Sequence, residues 1–410
     1  MIIVFPTLRG VMFTFAALGS LAIALVNVGL GTALTTALLS GFVAASYLMA
    51  LFSLFRVHVE RRSNADGVAE SKVNLPVVII NKSLYYRQAI IISEKCGFTE
   101  NHIFNCAVAP LKPHEHLQVD RQIPALKRGF FKLNKITLLS GDPAGLFKRR
   151  RIFHIPGEIM ISPKAVEISS LPIRFKRQIM PSPTGRSLGI AGQGLSFFGI
   201  REYRATDEMR FIHWKATASK GKLMVKEFEA NTVDRVVILL DSYYKSIGND
   251  PDDNNFEFLI KTTASMINYL AEMYCNVYFY TASGRSPMMH LFGDAVRLKT
   301  EIVSTLTSLK PGHIMLDNLL GEAVDSFPPN SIFYCLTMSE PNESRKTLEL
   351  LPEHDIEVRW IYAPKQYFPA IDPNEPRVII PGKLKINKTP SLSPFAATFK
   401  TDISAMLRNE

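Results

Sequence analysis

Arg235-Val236-Val237-Ile238-Leu239-Leu240-Asp241 is an unbroken apolar run opened by a base and closed by an acid. A strand with one wet face alternates apolar and polar residues. A run without alternation fits a strand covered on both faces, as in parallel sheets. Downstream, Phe256, Leu259, Ile260, Thr263, Ile267, Leu270 and Tyr274 recur at spacings of three and four, with acids and Asn just before them as capping candidates. That spacing predicts a helix. Strands are then predicted at Asn276–Tyr280, Ser331–Thr337 and Glu357–Tyr362, and helices at Ala295–Leu309 and Glu343–Leu351. The alternation predicts an α/β open, mostly parallel sheet with helices on both faces over residues 235–363. The tail, 364–410, is rich in Pro and Lys and has no period.

Working toward the N-terminus, residues 60–165 read as β structure. Val73–Ile80, Gln88–Ile92, Phe130–Leu139, Arg151–Ile155 and Ile159–Ile161 are short runs, and Ser140-Gly141-Asp142-Pro143 is one of the turn signals between them. This predicts a small β-sandwich-like domain. Residues 166–234 form a region linking the two domains. Ahead of both, no Asp, Glu, Lys, Arg or His occurs from Gly10 to Phe55. A membrane-crossing helix needs about 20 apolar residues, so residues 10–55 predict a two-span transmembrane α-hairpin with its turn at Asn27–Gly31. The apolar core of a cleaved signal peptide is about 7–15 residues, far shorter. Arg9, Arg56, Arg61 and Arg62 flank the hairpin and its turn is uncharged. Basic flanks stay on the cytoplasmic side. Both termini and everything after residue 56 are therefore expected on the cytoplasmic face of an inner membrane.

The net charge is +10, and residues 121–230 hold 21 Lys and Arg against 8 Asp and Glu. The run Lys148-Arg149-Arg150-Arg151, with Arg174, Lys176 and Arg177, fits a solvated face, an anionic lipid surface or an acidic partner ahead of nucleic acid. Cys96, Cys106, Cys275 and Cys335 form no CxxC pair, so reduced thiols are expected. No GxxxxGK[ST] loop, dinucleotide fingerprint or Gly-x-Ser-x-Gly elbow occurs. His114-Glu115-His116 has no third metal ligand nearby and reads as a solvated loop.

The densest mixture of aromatics and charges lies between the domains. It runs through Phe197-Phe198-Gly199, Arg201-Glu202-Tyr203, Asp207, Arg210 and Ile212-His213-Trp214-Lys215. Two readings stay open: a structural network of Arg–carboxylate pairs around a stacked Trp, or a binding face. The segment FFGIREYRATDEMRFIHWKATASKGKLMVKEFE resembles the signature of the bacterial domain-of-unknown-function 58 family. Arg201, Glu202, Tyr203, Asp207, Arg210, Trp214 and Lys215 match it position by position, as do Leu223, Val225, Lys226 and Glu227, and His213 lies inside it. Asp142-Pro143-Ala144-Gly145-Leu146-Phe147 resembles the family's DPFGLF turn, and Arg128-Gly129-Phe130 its RGxY strand start. Thr206 and Ser219-Lys220 depart from the pattern.

The resemblance implies a von Willebrand factor type A-like fold for the α/β domain. It further implies association with a MoxR-type AAA+ ATPase in assembling or activating membrane or envelope complexes. No catalytic role is carried over to the signature residues. In such a fold a metal site would lie at the carboxyl end of the first strand, as Asp-x-Ser-x-Ser. Here the positions read Asp241-Ser242-Tyr243-Tyr244-Lys245. Tyr243 and Lys245 replace both serine positions, and an ammonium there would repel a cation. Asp241 and Ser242 are the remaining candidate ligands. No divalent cation or other cofactor is expected, and Asp241 is read as a cap or as a partner for a basic group. The leading expectation is a non-catalytic, membrane-anchored scaffold or adaptor. The alternative is a metal-assisted hydrolase using Asp207, His213 and Asp241.

Overall fold

A computed structural model describes residues 2–27, 29–62, 66–173, 191–204, 209–229, 234–250, 253–285, 288–340, 345–369 and 395–408. The chain divides into two compact units, Met1–Lys164 and Ala165–Glu410.

The first unit opens with strand β1 (Ile2–Pro6) and two helices, α1 (Leu8–Val26) and α2 (Leu30–Phe52). Both helices are long and apolar enough to cross a membrane. Their packing is inverted relative to a soluble hairpin. Leu8, Met12, Phe15, Leu18, Leu25, Leu34 and Leu38 face outward, whereas the residues buried are Gly10, Thr36, Ser46 and Ala50. Thr36 Oγ1 donates to Ser20 O at 3.0 Å across the seam. Small residues inside and large apolar ones outside suit helices packing in lipid.

The strands that follow are β2 (Val57–Arg61), β3 (Gly67–Val68), β4 (Ser71–Asn74), β5 (Val77–Asn81), β6 (Ile90–Lys95) and β7 (Ile103–Val108). They continue with β8 (His116–Val119), β9 (Gln122–Ala125), β10 (Gly129–Gly141) and β11 (Phe147–Ser162). One sheet runs β1-β11-β10-β6-β7, with β3 beside β11. A second runs β2-β5-β8, and β4 pairs with β9. Leu54, Val57, Ile79, Ile90, Ile136 and Leu138 lie in one core, and Phe98, Ile123, Leu133 and Ile161 in another. Glu94 lies in this unit, almost fully buried, between the guanidiniums of Arg61 and Arg121.

In the second unit, β12 (Ala191–Glu202) pairs antiparallel with β13 (Met224–Glu229). The remaining strands are β14 (Arg235–Leu240), β15 (Asn276–Thr281), β16 (Met289–Asp294), β17 (Ser331–Thr337), β18 (Ile356–Tyr362) and β19 (Phe395–Ala396). They form one sheet in the order β16-β15-β14-β17-β18-β19. Every neighbouring pair is parallel except β15–β16. The apolar run at 235–241 is thus central. Val236, Ile238 and Leu240 point into one core with α4 (Asn255–Glu272) and α5 (Ala295–Ser308), and Val237 and Leu239 point into the other with α6 (Leu316–Val324). Both faces are covered, which is why the run does not alternate.

The sequence reading passed over β16 and α6. The first is a half-buried edge strand. The second has only nine residues.

Candidate functional site

The signature builds a small supersecondary unit. Arg201 and Glu202 end β12 in register with Val225 and Met224 of β13. The chain leaves β12 with Tyr203 N donating to Leu223 O at 2.9 Å, and turns once at Met209–Phe211. It returns through an Ile212–Val225 bridge into a short helix, α3 (Trp214–Lys220). His213 is the N-cap: its Nδ1 accepts from Ala216 N at 3.0 Å. Thr217 Oγ1 accepts from Met224 N at 3.0 Å, tying α3 to β13. Gly221 ends the helix at φ +66°, a conformation that suits a residue without Cβ.

This frame sorts the side chains into two sets. Ile212, Met224 and Val225 are buried. Trp214 is 67% exposed, and Met209, Leu223 and Ile200 are exposed as well. Lys215 is exposed, and Lys222 pairs with Glu202 at 3.1 Å on the open surface, where ion pairs contribute little. Arg201 Nη1 donates to Glu202 O at 2.9 Å. Trp214 thus presents most of its indole to solvent. Asp207 and the side chain of Arg210 lie outside the described residues, as do Arg174, Lys176 and Arg177.

Asp241 lies at the carboxyl end of β14 and is 1% exposed. Its Oδ1 accepts from Tyr243 N at 2.9 Å and its Oδ2 from Met338 N at 3.0 Å, with Ser339 Oγ at 3.5 Å. The carboxylate thereby joins the ends of β14 and β17. Burial raises its pKa above the ordinary carboxylate value, against the opposing pull of those amide bonds. Ser242 Oγ donates to Ala282 O at 2.7 Å. Asp241 therefore holds the turn after β14 through the Tyr243 amide, while the short helix at 244–246 has no side-chain cap. Neither residue leaves an oxygen directed at open space. No hydrogen bond or ion pair joins Asp241 to His213 among the described residues, and no group of three metal-ligating side chains occurs there either.

The basic run at 148–151 is a strand, so its side chains alternate. Lys148 and Arg150 are exposed, whereas Arg149 and Arg151 turn toward the end of α2. Arg149 Nη1 donates to Leu51 O, and Arg151 Nη1 to Leu54 O and Val57 O at 3.0 and 2.9 Å. Arg87 adds a bond to Phe52 O at 2.7 Å. The last carbonyls of a helix lack amide partners and carry the negative end of its dipole, so the guanidiniums of Arg149 and Arg87 suit Leu51 O and Phe52 O, and Arg151 bonds the segment that follows the helix. Lys148 and Arg150 are thus the members of this run that are exposed.

The Asp142–Phe147 turn holds the other foot of the hairpin. Thr7 N donates to Leu146 O at 2.8 Å, and Leu146 and Phe147 pack with Ala50. Four consecutive bases carry no period, so the sequence held no signal that singled out Arg149 and Arg151. Arg87 had none either.

His114 and His116 are exposed; His114 lies in a loop, whereas His116 opens β8 rather than belonging to the expected loop. Burial pushes the thiols of Cys96 and Cys275 up to about 12, so neither is a ready nucleophile.

The family model described as "Protein of unknown function DUF58" matches residues 199–272. "Uncharacterized protein YeaD" of Bacillus subtilis (strain 168) is 21% identical over 154 residues, covering 36% of this chain and 34% of that protein. The matched region thus spans about a third of that relative's length.

Proposed function

The chain belongs to the DUF58 family by its signature, and from that premise we propose that it is a non-catalytic, membrane-anchored adaptor. In this reading α1 and α2 cross an inner membrane with both ends on the cytoplasmic side. The second unit is a von Willebrand factor type A-like domain, and the signature unit docks a MoxR-type AAA+ ATPase that supplies the ATP chemistry. The expected clients are membrane or envelope complexes.

The observation that carries the reading is the exposure of Trp214. Large aromatic side chains anchor protein interfaces when a firm base positions them and apolar neighbours surround them. Trp214 opens a helix fixed by the His213 cap and the Thr217–Met224 bond, with Ile200, Met209 and Leu223 also exposed in the same unit. The inverted packing of α1 and α2 supports the anchor. The parallel order β15-β14-β17-β18 with Asp241 at its carboxyl end supports the domain assignment.

The hydrolase alternative draws no support from the described geometry. Asp241 is buried and held by the amides of Tyr243 and Met338, and no hydrogen bond or ion pair joins it to His213 among the described residues.

The test is a crosslinked, mild-detergent capture of the tagged protein from its own cells. Recovery of an AAA+ ATPase that is lost with Trp214→Ala, in a variant still folded by circular dichroism, is the expected result. Capture without an ATPase, or one insensitive to Trp214→Ala, would overturn the reading.

A further inference from the structure

The loop between β5 and β6 carries Leu84, Tyr85 and Tyr86, which are 72, 73 and 68% exposed. Three consecutive large apolar or aromatic side chains held in water are costly. The register of the sheet says where they lie. β2 begins at Val57, directly after the end of α2, and Val57 is paired with Asn81, the last residue of β5. Beyond Asn81 the chain therefore lies at the level of residues 52–56. Two bonds fix it there: Lys82 N donates to Arg56 O at 3.0 Å, and Arg87 Nη1 to Phe52 O at 2.7 Å.

The loop is held from within. Asn81 Nδ2 donates to Tyr85 O at 3.0 Å and to Lys112 O at 2.8 Å, and Ser83 N donates to Asn81 Oδ1 at 3.1 Å. The exposure of the two tyrosines is thus built into the loop's own hydrogen bonding.

Its surroundings match one environment. Phe52 and Phe55 are exposed beside it, the Arg56 guanidinium lies 5.5 Å from the Phe55 ring, and Lys82 is exposed. Aromatic rings interleaved with basic groups at the end of an apolar helix suit the headgroup layer, where tyrosine places its ring in the apolar boundary and its hydroxyl in water. A 23-residue helix is roughly 34 Å long at 1.5 Å per residue. Against a hydrocarbon core about 30 Å thick, its last turn reaches that layer.

We propose that Leu84-Tyr85-Tyr86 is a second membrane contact, seated in the lipid headgroup layer beside the end of α2, so that the β-rich unit lies against the bilayer. The proposal rests on the reading of α1 and α2 as spans. Continuity with that anchor identifies lipid, rather than a protein, as the occupant.

The experiment uses the full chain in phosphatidylcholine/phosphatidylglycerol vesicles, with and without acyl chains brominated near the glycerol end. The background is Trp214→Phe, which leaves Trp360 as the native indole, buried in the second unit. Tyr85→Trp and Tyr86→Trp are compared with Phe42→Trp, which lies midway along α2. The expected result is that brominated lipid removes most of the added emission at 85 and 86, and that this emission is blue-shifted relative to an indole in water. Quenching at 42 without quenching at 85 or 86 overturns the proposal, leaves the spans standing and turns attention to a protein occupant. No quenching at any of the three positions overturns the spans and the proposal with them.

Discussion

Glu94 and Asp241 are both 1% exposed, and the two units neutralise them differently. Glu94 lies between two guanidiniums, with Arg121 Nη1 at 2.7 Å from its Oε2 and Arg61 on its Oε1. The triad carries one net positive charge and leaves Arg61 Nε and Arg121 Nη2 without a protein acceptor. No ion pair to Asp241 occurs among the described residues; backbone amides at the ends of two strands hold it. The comparison separates two uses of a buried carboxylate. In the β-rich unit it offsets charge that the fold has already buried. In the open sheet it joins two strand ends at the edge where such folds bind ligands.

The largest expected effect breaks the first arrangement. Glu94→Gln strands two buried guanidiniums, and losing one partner of a buried ion pair costs about 3–5 kcal/mol. Urea unfolding of the detergent-solubilised full chain should show that loss. A cost below about 1 kcal/mol would mean that the arginines relax into water. Replacing all three charged residues together with apolar ones should cost far less, since buried triads often stabilise little relative to apolar substitutes.

Next is the arginine clamp on α2. Arg149→Met leaves Leu51 O without its charged donor, an interaction worth about 1.5–3 kcal/mol. Lys148→Met, one residue away on the exposed side of the same strand, should stay within about 0.5 kcal/mol. Equal effects of the two substitutions would break the alternation drawn here.

That alternation also shows what the sequence could convey. The run at 235–241 announced a strand covered on both faces because apolarity alone decides that. Lys148–Arg151 offered only charge, and charge does not say that Arg149 and Arg151 meet carbonyls at and just beyond the end of α2, 94 to 98 residues earlier in the chain. The hairpin at 10–55 was legible for the same reason as β14, namely an unbroken apolar pattern. The signature was visible as residue types, yet whether Trp214 was buried or exposed depended on the pairing of β12 with β13 and on the bond that ties α3 to it, neither of which residue types state. That Asp241 holds the turn after its strand rested on local sequence, since Tyr243 is two residues away. Its second partner, Met338 N, is supplied by a strand 97 residues away. The Leu84-Tyr85-Tyr86 loop gave no period at all, and only the pairing of Val57 with Asn81 places it.

Asp241→Asn sharpens the second half of the comparison. An asparagine can accept one of the two amide bonds but presents its own N–H groups to the other. The expected cost is about 1–2 kcal/mol near neutral pH. The pH dependence has a definite sign. A carboxyl whose pKa is raised on folding binds its proton more tightly in the folded state, so its titration favours folding below the unfolded value of 3.8. That contribution is lost as pH rises through the higher folded value. Urea midpoints across acidic pH should therefore show the wild type losing ground relative to Asp241→Asn as pH increases above about 4. The opposite slope would mean that the amide bonds outweigh burial.

The smallest stability effect belongs to Trp214. A tryptophan removed from a core costs about 3–5 kcal/mol, because it leaves a cavity. Trp214 is two-thirds in water, so Trp214→Ala should change stability by no more than about 0.5 kcal/mol. Ile212→Ala, two residues earlier and buried beneath the same unit, should cost about 2–5 kcal/mol. Thermal melts of the two variants side by side make the contrast. If Trp214→Ala destabilises as much as Ile212→Ala, the indole belongs to the core and the docking face falls with it. If it leaves the melt unchanged while abolishing capture of the ATPase, its burial takes place in the complex, where truncating a central interface aromatic commonly costs 2 kcal/mol or more, by order of magnitude.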